Sequence, residues 1–491
     1  MEGRRGALRE PGAVLLISTY ELGRQPLSLA SPLAALEEAG FSPSALDLSV
    51  ERIDPVPVGR ARLVAVAVPM HTALRLGVQA AERIRSINPA CRIVLYGMYA
   101  TLNAPALLTR GADFVIGGEC EEPLLRLAQD LDRGGSGRDL EGVGAAQEGG
   151  ETATPAAPWL RRIAFSVPRR SSLPPLDRYA RLEHQGVTRL AGQTEAGRGC
   201  LHLCRHCPIP PVYGGRFFIV PRDIVLADIR NQVAAGATHM TFGDPDFLNG
   251  PGHSLAILRA ARAEFPALTF DFTAKIEHLL QHRALLPELA GLGCLFVVSA
   301  VESIDDRTLA ILDKGHTRAD VEAAIDLTRN AGIALRPSLV PFTPWTGLEA
   351  YRELLAFIAR HDLVDHLDPV QLVIRLLLPP GSLLLDHPAM RPHLGALDAR
   401  RFTYDWTHPD PRMDSLHREL SRLVEMSALE KADPRLTFSR IVAHAGSQPL
   451  PVRAPDARQG DRPPRLTESW FCCAEPTEDQ MDPLRPAEAR F

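Results

Sequence analysis

The segment EAGRGCLHLCRHCPIPPVYGGR (195–216) places Cys200, Cys204 and Cys207 in a C-x3-C-x2-C array. Three thiolates at this spacing on one loop can ligate three irons of a cubane cluster. The fourth iron then has no protein ligand and stays open to a chelating cosubstrate. A zinc site is the competing chemistry, because His202 and His206 are interleaved with the thiols. Zinc would require four closed ligands, and no second Cys/His pair stands at finger spacing. The array therefore predicts a [4Fe–4S] cluster with one free coordination site.

Other residues stand out by type. Arg375 is the only charge in VQLVIRLLL and is costly to bury unless paired. Its carboxylate partner is expected from a cosubstrate or from the protein. Lysine occurs only at 275, 314 and 431, among 54 basic residues, so a compact ammonium at Lys275 and Lys314 is a candidate requirement. WFCCAEP (470–476) sets Cys472 and Cys473 beside aromatics in an otherwise polar, proline-rich tail. Such a vicinal dithiol could carry an intermediate, reduce a product or shield a cluster. Cys91 and Cys294 fall in predicted strands and read as buried hydrophobes.

These residues need a scaffold, and the apolar pattern supplies two. In 1–131, the runs 13–18, 62–68, 92–97 and 112–118 alternate with helices near 33–39, 73–86 and 122–131. This predicts a flavodoxin-like parallel sheet, whose ligands sit beyond the strand C-termini. Residues 132–167 read as a flexible linker. The proline-locked PRRSSLPPLDRY opens a connector over 168–193. In 194–384 the strands expected at 194–198, 239–243, 268–274, 295–300, 334–340 and 370–377 give six units. These suit a partial (β/α)6 barrel. A helical extension over 385–440, with one amphipathic helix at 410–430, precedes a mobile tail over 441–491.

The chain has 491 residues, 45% of them hydrophobic and 23% charged, and a formal charge of −5. It offers no general attraction to nucleic acid or to anionic membranes. The apolar run Ala13 to Ile17 is too short for a signal-peptide core, and no stretch reaches transmembrane length. A cytoplasmic protein with reduced thiols is the expectation.

Across 194–380, the cysteine loop and the strand-end sequences resemble the radical S-adenosylmethionine (SAM) superfamily. That resemblance implies reductive cleavage of SAM at the cluster to a 5′-deoxyadenosyl radical. It implies that FGDPDF (242–247), with Phe242, Gly243 and Asp244, offers backbone carbonyls to the methionyl amino group. It also implies that Glu302 and Ser303 contact the ribose and methionyl parts; a cap on the helix starting near Asp305 is the alternative. His206 stands where the family usually has an aromatic residue. A flavodoxin- or ferredoxin-type electron donor and a small-molecule or peptide substrate follow.

YGMYATLNAPALLTRGADFVIGGECEEPLLRL (96–127) resembles the second half of cobalamin-binding domains fused to radical enzymes. The resemblance implies that Gly97, Gly117 and Gly118 let the backbone approach the corrin. The D-x-H-x-x-G motif is absent, the corresponding loop reading STYELGRQP (18–26), so no histidine there can ligate cobalt. His71 is the nearest substitute, and a hydrogen-bonded loop histidine is its more ordinary reading. Cys120 takes a position where relatives have glycine. The tail resembles that of the CUAEP/CCAEP-tail group, in which one position can be selenocysteine, here matching Cys472. The expected outcome is cobalamin-assisted methyl transfer to an unactivated carbon. A cobalamin-independent radical reaction using the tail thiols, and a non-catalytic zinc scaffold, are the alternatives.

Overall fold

The computed structural model describes residues 6–146, 157–161, 164–450 and 462–468. Its first sheet joins β1 (Val14–Ser18), β2 (Ser44–Asp47), β3 (Leu63–Ala67), β4 (Arg92–Tyr96), β5 (Phe114–Ile116) and β6 (Val143–Ala145). The order is β2-β1-β3-β4-β5-β6, with β1 to β5 parallel and β6 antiparallel at the edge. Strand residues alternate between two apolar layers, as the period of two requires. Leu15, Ile17, Val64 and Val66 pack with the helix His71–Ile87. Leu16, Leu63, Ala65 and Val94 pack with the helices Leu27–Glu38 and Glu121–Asp132 on the other side. Burial on both faces explains why these strands read as unbroken apolar runs.

The second sheet contains β7 (Arg181–His184) and β8 (Val187–Thr194). After β8 the chain makes a short hairpin of β9 (Gly197–Gly199) with β10 (Phe217–Ile219). β11 (His239–Phe242), β12 (Thr269–Thr273), β13 (Cys294–Glu302) and β14 (Ala334–Leu339) then run parallel to β8. A hairpin of β15 (Leu394–Asp398) and β16 (Thr403–Trp406) follows, and β17 (Arg465–Leu466) closes the edge. The sheet order is β14-β13-β12-β11-β8-β7-β17. Together with its helices, this is the expected partial barrel.

Several expectations need correction. The first barrel strand begins at Val187, seven residues before 194, and its first half, Val187 to Leu190, mixes apolar with polar residues and is exposed or half-buried, which hid it. The run 370–377 is not a full strand. Pro369–Leu372 forms a 3₁₀ turn, and only Arg375 bridges to Phe342 at the sixth position. The linker contributes β6, and Trp159 is buried beside Gly118. The extension carries the β15–β16 hairpin ahead of the helices Pro411–Leu429 and Pro434–His444. The tail returns to the sheet as β17.

The connector is buried in part. Arg170 makes a two-pronged ion pair with Asp228, both contacts 3.0 Å, and both side chains are buried. It also donates to the Gln25 carbonyl at 3.1 Å and the Gln193 carbonyl at 2.6 Å. One guanidinium thus touches the first domain, the first barrel strand and a barrel helix. No helix among the described residues is long and apolar enough to cross a membrane.

Candidate functional site

The cysteine loop leaves and re-enters the fold at one point, because Phe217 pairs with Gly199 across its base. Gly199 has φ +78°, and a Cβ there would stand 2.5 Å from the Arg216 carbonyl oxygen; only glycine closes this base without displacement. Midway, Arg205 fixes the loop to the helix Asp306–Leu312. Its amide donates to the Leu312 carbonyl at 2.9 Å, and its guanidinium to the carbonyls of Ala310 and Ile311. Those carbonyls belong to the helix's last turn, where a cation is favoured.

Cys200 and Cys204 are buried and Cys207 is half-buried. Burial raises the Cys200 thiol and pushes Cys207 up to about 12. Metal binding must therefore displace protons from these sulfurs. The buried Lys314 ammonium opposes the rise at Cys207 without overcoming it.

The spacing bears on zinc. Among the described residues, the only trio of ligand-type atoms lying within 4.8 Å of one another is His202, Asp246 and His278. The three sulfurs are thus more widely spread than the roughly 3.8 Å between thiolates on one tetrahedral zinc with Zn–S near 2.3 Å. Both interleaved imidazoles also have other partners. His202 Nε2 lies 3.2 Å from His278 Nε2, and its Nδ1 lies 3.0 Å from Lys275 Nζ. Burial, with Lys275 and His278 beside it, lowers His202 to about 4. His206 Nε2 lies 3.3 Å from Glu302 Oε1.

Glu302 ends β13 in the left-handed region, φ 62°. Burial alone would raise its carboxyl, but Lys314 at 3.3 Å and His206 outweigh it and bring it down to about 2. Ser303 Oγ accepts from the Asp305 amide, and Asp305 in turn caps the helix Asp306–Leu312. Phe242 is buried against Phe247, ring centroids 4.5 Å apart. A Cβ on Gly243 would stand 2.8 Å from Gln193 Nε2. Asp244 accepts from the Ala196 amide at 2.9 Å, and burial raises it to about 8. Arg375 is apart from these residues. Its partners are Asp414 Oδ1 and the Trp406 carbonyl, both at 2.7 Å, and it lies over the Trp406 ring. The partner is therefore a protein carboxylate.

A cleft of about 1110 Å³ joins the strand ends of the first domain to the barrel mouth. Tyr96, Gly97, Met98, Gly118 and Cys120 line it from one side; Gln193, Arg198, Gly243 and Tyr213 line it from the other. Gly97, φ +111°, packs on the Val68 carbonyl. Gly117 abuts Thr101, and a Cβ on Gly118 would stand 2.5 Å from the Trp159 carbonyl oxygen. His71 is buried in the first turn of its helix, 6.0 Å from the Tyr99 ring, and is not among the lining residues.

Sequence reasoning missed the charge cluster here. Arg198 spends its donors on Glu119 and Glu121 at 2.7 Å and on Glu195 at 2.5 Å, while Tyr213 donates to Glu119 at 2.8 Å. Burial pushes Glu119 and Glu195 up; at Glu121 burial is outweighed by Arg198. The buried Gln193 Oε1 has no hydrogen-bond partner. Arg24 Nε, on the same wall, also has no hydrogen-bond partner, so the cleft suits an occupant carrying both N–H donors and carbonyl acceptors. The primary amides on the rim of a corrin meet that requirement. Gln193 and His278 carried no sequence signal, and the Glu119–Arg198 pair spans 79 positions.

Residues 194–353 match the family model of the radical SAM superfamily. A structure of the radical S-adenosylmethionine methyltransferase TsrM from Kitasatospora setae, with cobalamin and a [4Fe–4S] cluster bound, is similar with TM-score 0.59. It is 20% identical, over 71% of this chain and 70% of that one. The cobalamin-dependent S-adenosylmethionine radical enzyme OxsB, with aqua-cobalamin and S-adenosylmethionine bound, gives TM-score 0.65 at 14% identity. That match covers 89% of this chain and 71% of that one. No curated protein matches the chain. Residues 194–353 thus match the radical SAM family model, and the chain shares the overall fold of these two cobalamin-dependent enzymes, N-terminal sheet included. Cys472 and Cys473 lie outside the described residues.

Proposed function

We propose that this enzyme binds a [4Fe–4S] cluster on Cys200, Cys204 and Cys207, SAM beside it, and cobalamin in the interdomain cleft, and methylates an unactivated carbon. When bound, these groups supply the electron that cleaves SAM to the 5′-deoxyadenosyl radical and the methyl group that is transferred. The supporting observation is the cleft itself, which runs from the first domain's strand ends to the strand that leads into the cysteine loop. The chain's residues position and enclose. The backbone of Phe242, Gly243 and Asp244 would take the methionyl end, the Asp244 side chain being engaged by the Ala196 amide. Glu302, held ionised by Lys314, retains lone pairs for a ribose hydroxyl, and Ser303 fixes the turn behind it. Gly97 and Gly118, on the cleft wall, would let the backbone approach the corrin, with Gly117 shaping the turn behind them. Arg375 takes no part in cosubstrate binding.

The substrate is a small molecule or peptide, and the electron comes from a flavodoxin- or ferredoxin-type donor in the cytoplasm. The test is anaerobic cluster reconstitution, then incubation with SAM and dithionite, with and without hydroxocobalamin. Formation of 5′-deoxyadenosine that is lost in Cys200→Ala, with corrin retained through gel filtration, is the expected result. Turnover without retained corrin would transfer the later chemistry to the tail thiols Cys472 and Cys473. Bound zinc with no turnover would overturn the reading.

A further inference from the structure

Three side chains from separate elements converge beside the cysteine loop. His202 lies within the loop, between Cys200 and Cys204. Asp246 belongs to the turn after β11, and His278 to the helix Ile276–Gln281. Among the described residues, these three alone are of metal-ligand type with donor atoms all within 4.8 Å of one another. His202 Nε2 faces His278 Nε2 at 3.2 Å and Asp246 Oδ2 at 3.8 Å. Two ligands on one zinc-sized ion, each about 2.0–2.2 Å from it, stand at most roughly 4.3 Å apart. Imidazole nitrogens 3.2 Å apart would subtend about 100° at such an ion, close to the tetrahedral angle.

Asp246 Oδ2 also lies 2.9 Å from His278 Nδ1. The two are near but not aligned, for the buried Nδ1 has no hydrogen-bond partner. The carboxylate is therefore not spent on that imidazole. It accepts the amides of Leu248 at 3.0 Å and Lys275 at 3.1 Å, which fix its position. With about four lone-pair sites on a carboxylate, acceptor capacity remains. Asp246 and His278 are buried, whereas the His202 side chain is 16% exposed, which leaves an ion a way in.

Lys275 is the competing group. Its ammonium lies 3.0 Å from His202 Nδ1 and 2.9 Å from Glu277 Oε2. By donating to Nδ1 it keeps the ring proton on Nε2, which then meets His278 as an ordinary hydrogen bond. A metal on Nε2 needs the other tautomer, with Nδ1–H turned toward a carboxylate. Glu277 Oε2, 3.7 Å from Nδ1, is that carboxylate. The ion and Lys275 thus oppose each other across one imidazole ring.

We propose that His202, Asp246 and His278 form a site for a divalent transition metal of zinc type, which ties the cysteine loop to the helix Ile276–Gln281. Two imidazoles and one carboxylate, with a fourth position for water, make an open nitrogen and oxygen donor set. The three cysteines take no part in it, and the site calls on neither corrin nor SAM.

The experiment titrates the cluster-loaded full chain with zinc sulfate under anaerobic conditions, then counts zinc, iron and sulfide after gel filtration. About one zinc per chain should be retained, its X-ray absorption showing nitrogen and oxygen neighbours at about 2.0–2.1 Å and no sulfur. Sulfur neighbours at about 2.3 Å would move the ion to the cysteines and overturn the proposal. His278→Ala and Asp246→Asn should each weaken zinc binding by about tenfold or more, with iron and sulfide unchanged. Lys275→Met, which removes a neighbouring cation, should tighten it by about tenfold. Unchanged affinity in His278→Ala, or weaker binding in Lys275→Met, would also overturn the proposal. Zinc held by nitrogen and oxygen in a chain without iron or sulfide would instead fail the cluster reading and leave this site standing.

Discussion

The Lys314 ammonium lies 3.3 Å from the Glu302 carboxylate with both side chains buried. Glu302 is held at about 2, below its ordinary 4.5. Its contribution to stability is therefore fully present above about 4.5 and is lost as pH falls toward 2. Lys314→Met leaves a buried carboxylate without its main partner, which costs about 3–5 kcal/mol. Urea melts at neutral pH should show that loss, and the gap to the parent should narrow near pH 3. Equal midpoints at neutral pH would show that the pair does not stabilise the fold.

Asp244 has the opposite sign. Burial holds it at about 8 against an ordinary 3.8, so between those values the folded chain keeps a proton that the unfolded chain has released. Stability should fall as pH rises through that window, by up to about 1.4 kcal/mol per pH unit from this group. Asp244→Asn keeps an acceptor for the Ala196 amide and removes the titration. Its unfolding free energy, measured at several pH values from 5 to 8, should fall less steeply than the parent's.

Gly118 holds φ +72° beneath Trp159. Gly118→Ala adds left-handed strain and a collision with backbone, together about 1–3 kcal/mol or more. Trp159 should move into water, seen as a red shift of tryptophan emission. Gly134, φ +84° with nothing within 4 Å of an added Cβ, supplies the control. Gly134→Ala should cost stability without the shift.

Arg375→Met removes the Asp414 pair and the hydrogen bond to the Trp406 carbonyl. The guanidinium side chain is 24% exposed, so the expected loss is discounted to about 1–3 kcal/mol. The KM for SAM should stay unchanged. A tenfold rise in KM with stability intact would restore the arginine to the cosubstrate.

What could be read in the sequence was what the chain encodes locally. β1, β3, β4 and β5 are buried on both faces and show as apolar runs, and the cysteine array shows its spacing outright. β8 begins with Val187, Thr188, Arg189 and Leu190, exposed or half-buried and of mixed polarity, and shows no such run. The two residues of β17 acquire strand character only from a partner 282 positions away. Arg375 read correctly as a charge needing a carboxylate, but its choice of Asp414 is tertiary. The Arg198 cluster draws Glu119, Glu121 and Glu195 from two domains, and no local pattern marks it.

Arg170 is a single bolt through two domains. Its guanidinium is held by Asp228 and by the carbonyls of Gln25 and Gln193. Drawing the first domain away leaves the Arg170–Asp228 pair intact within the barrel half and takes from the guanidinium only its bond to the neutral Gln25 carbonyl, about 1.5–3 kcal/mol for one hydrogen bond to a charged group. A cut made at the sequence boundary near residue 168 therefore keeps the ion pair whole and leaves one guanidinium donor of the barrel half facing outward.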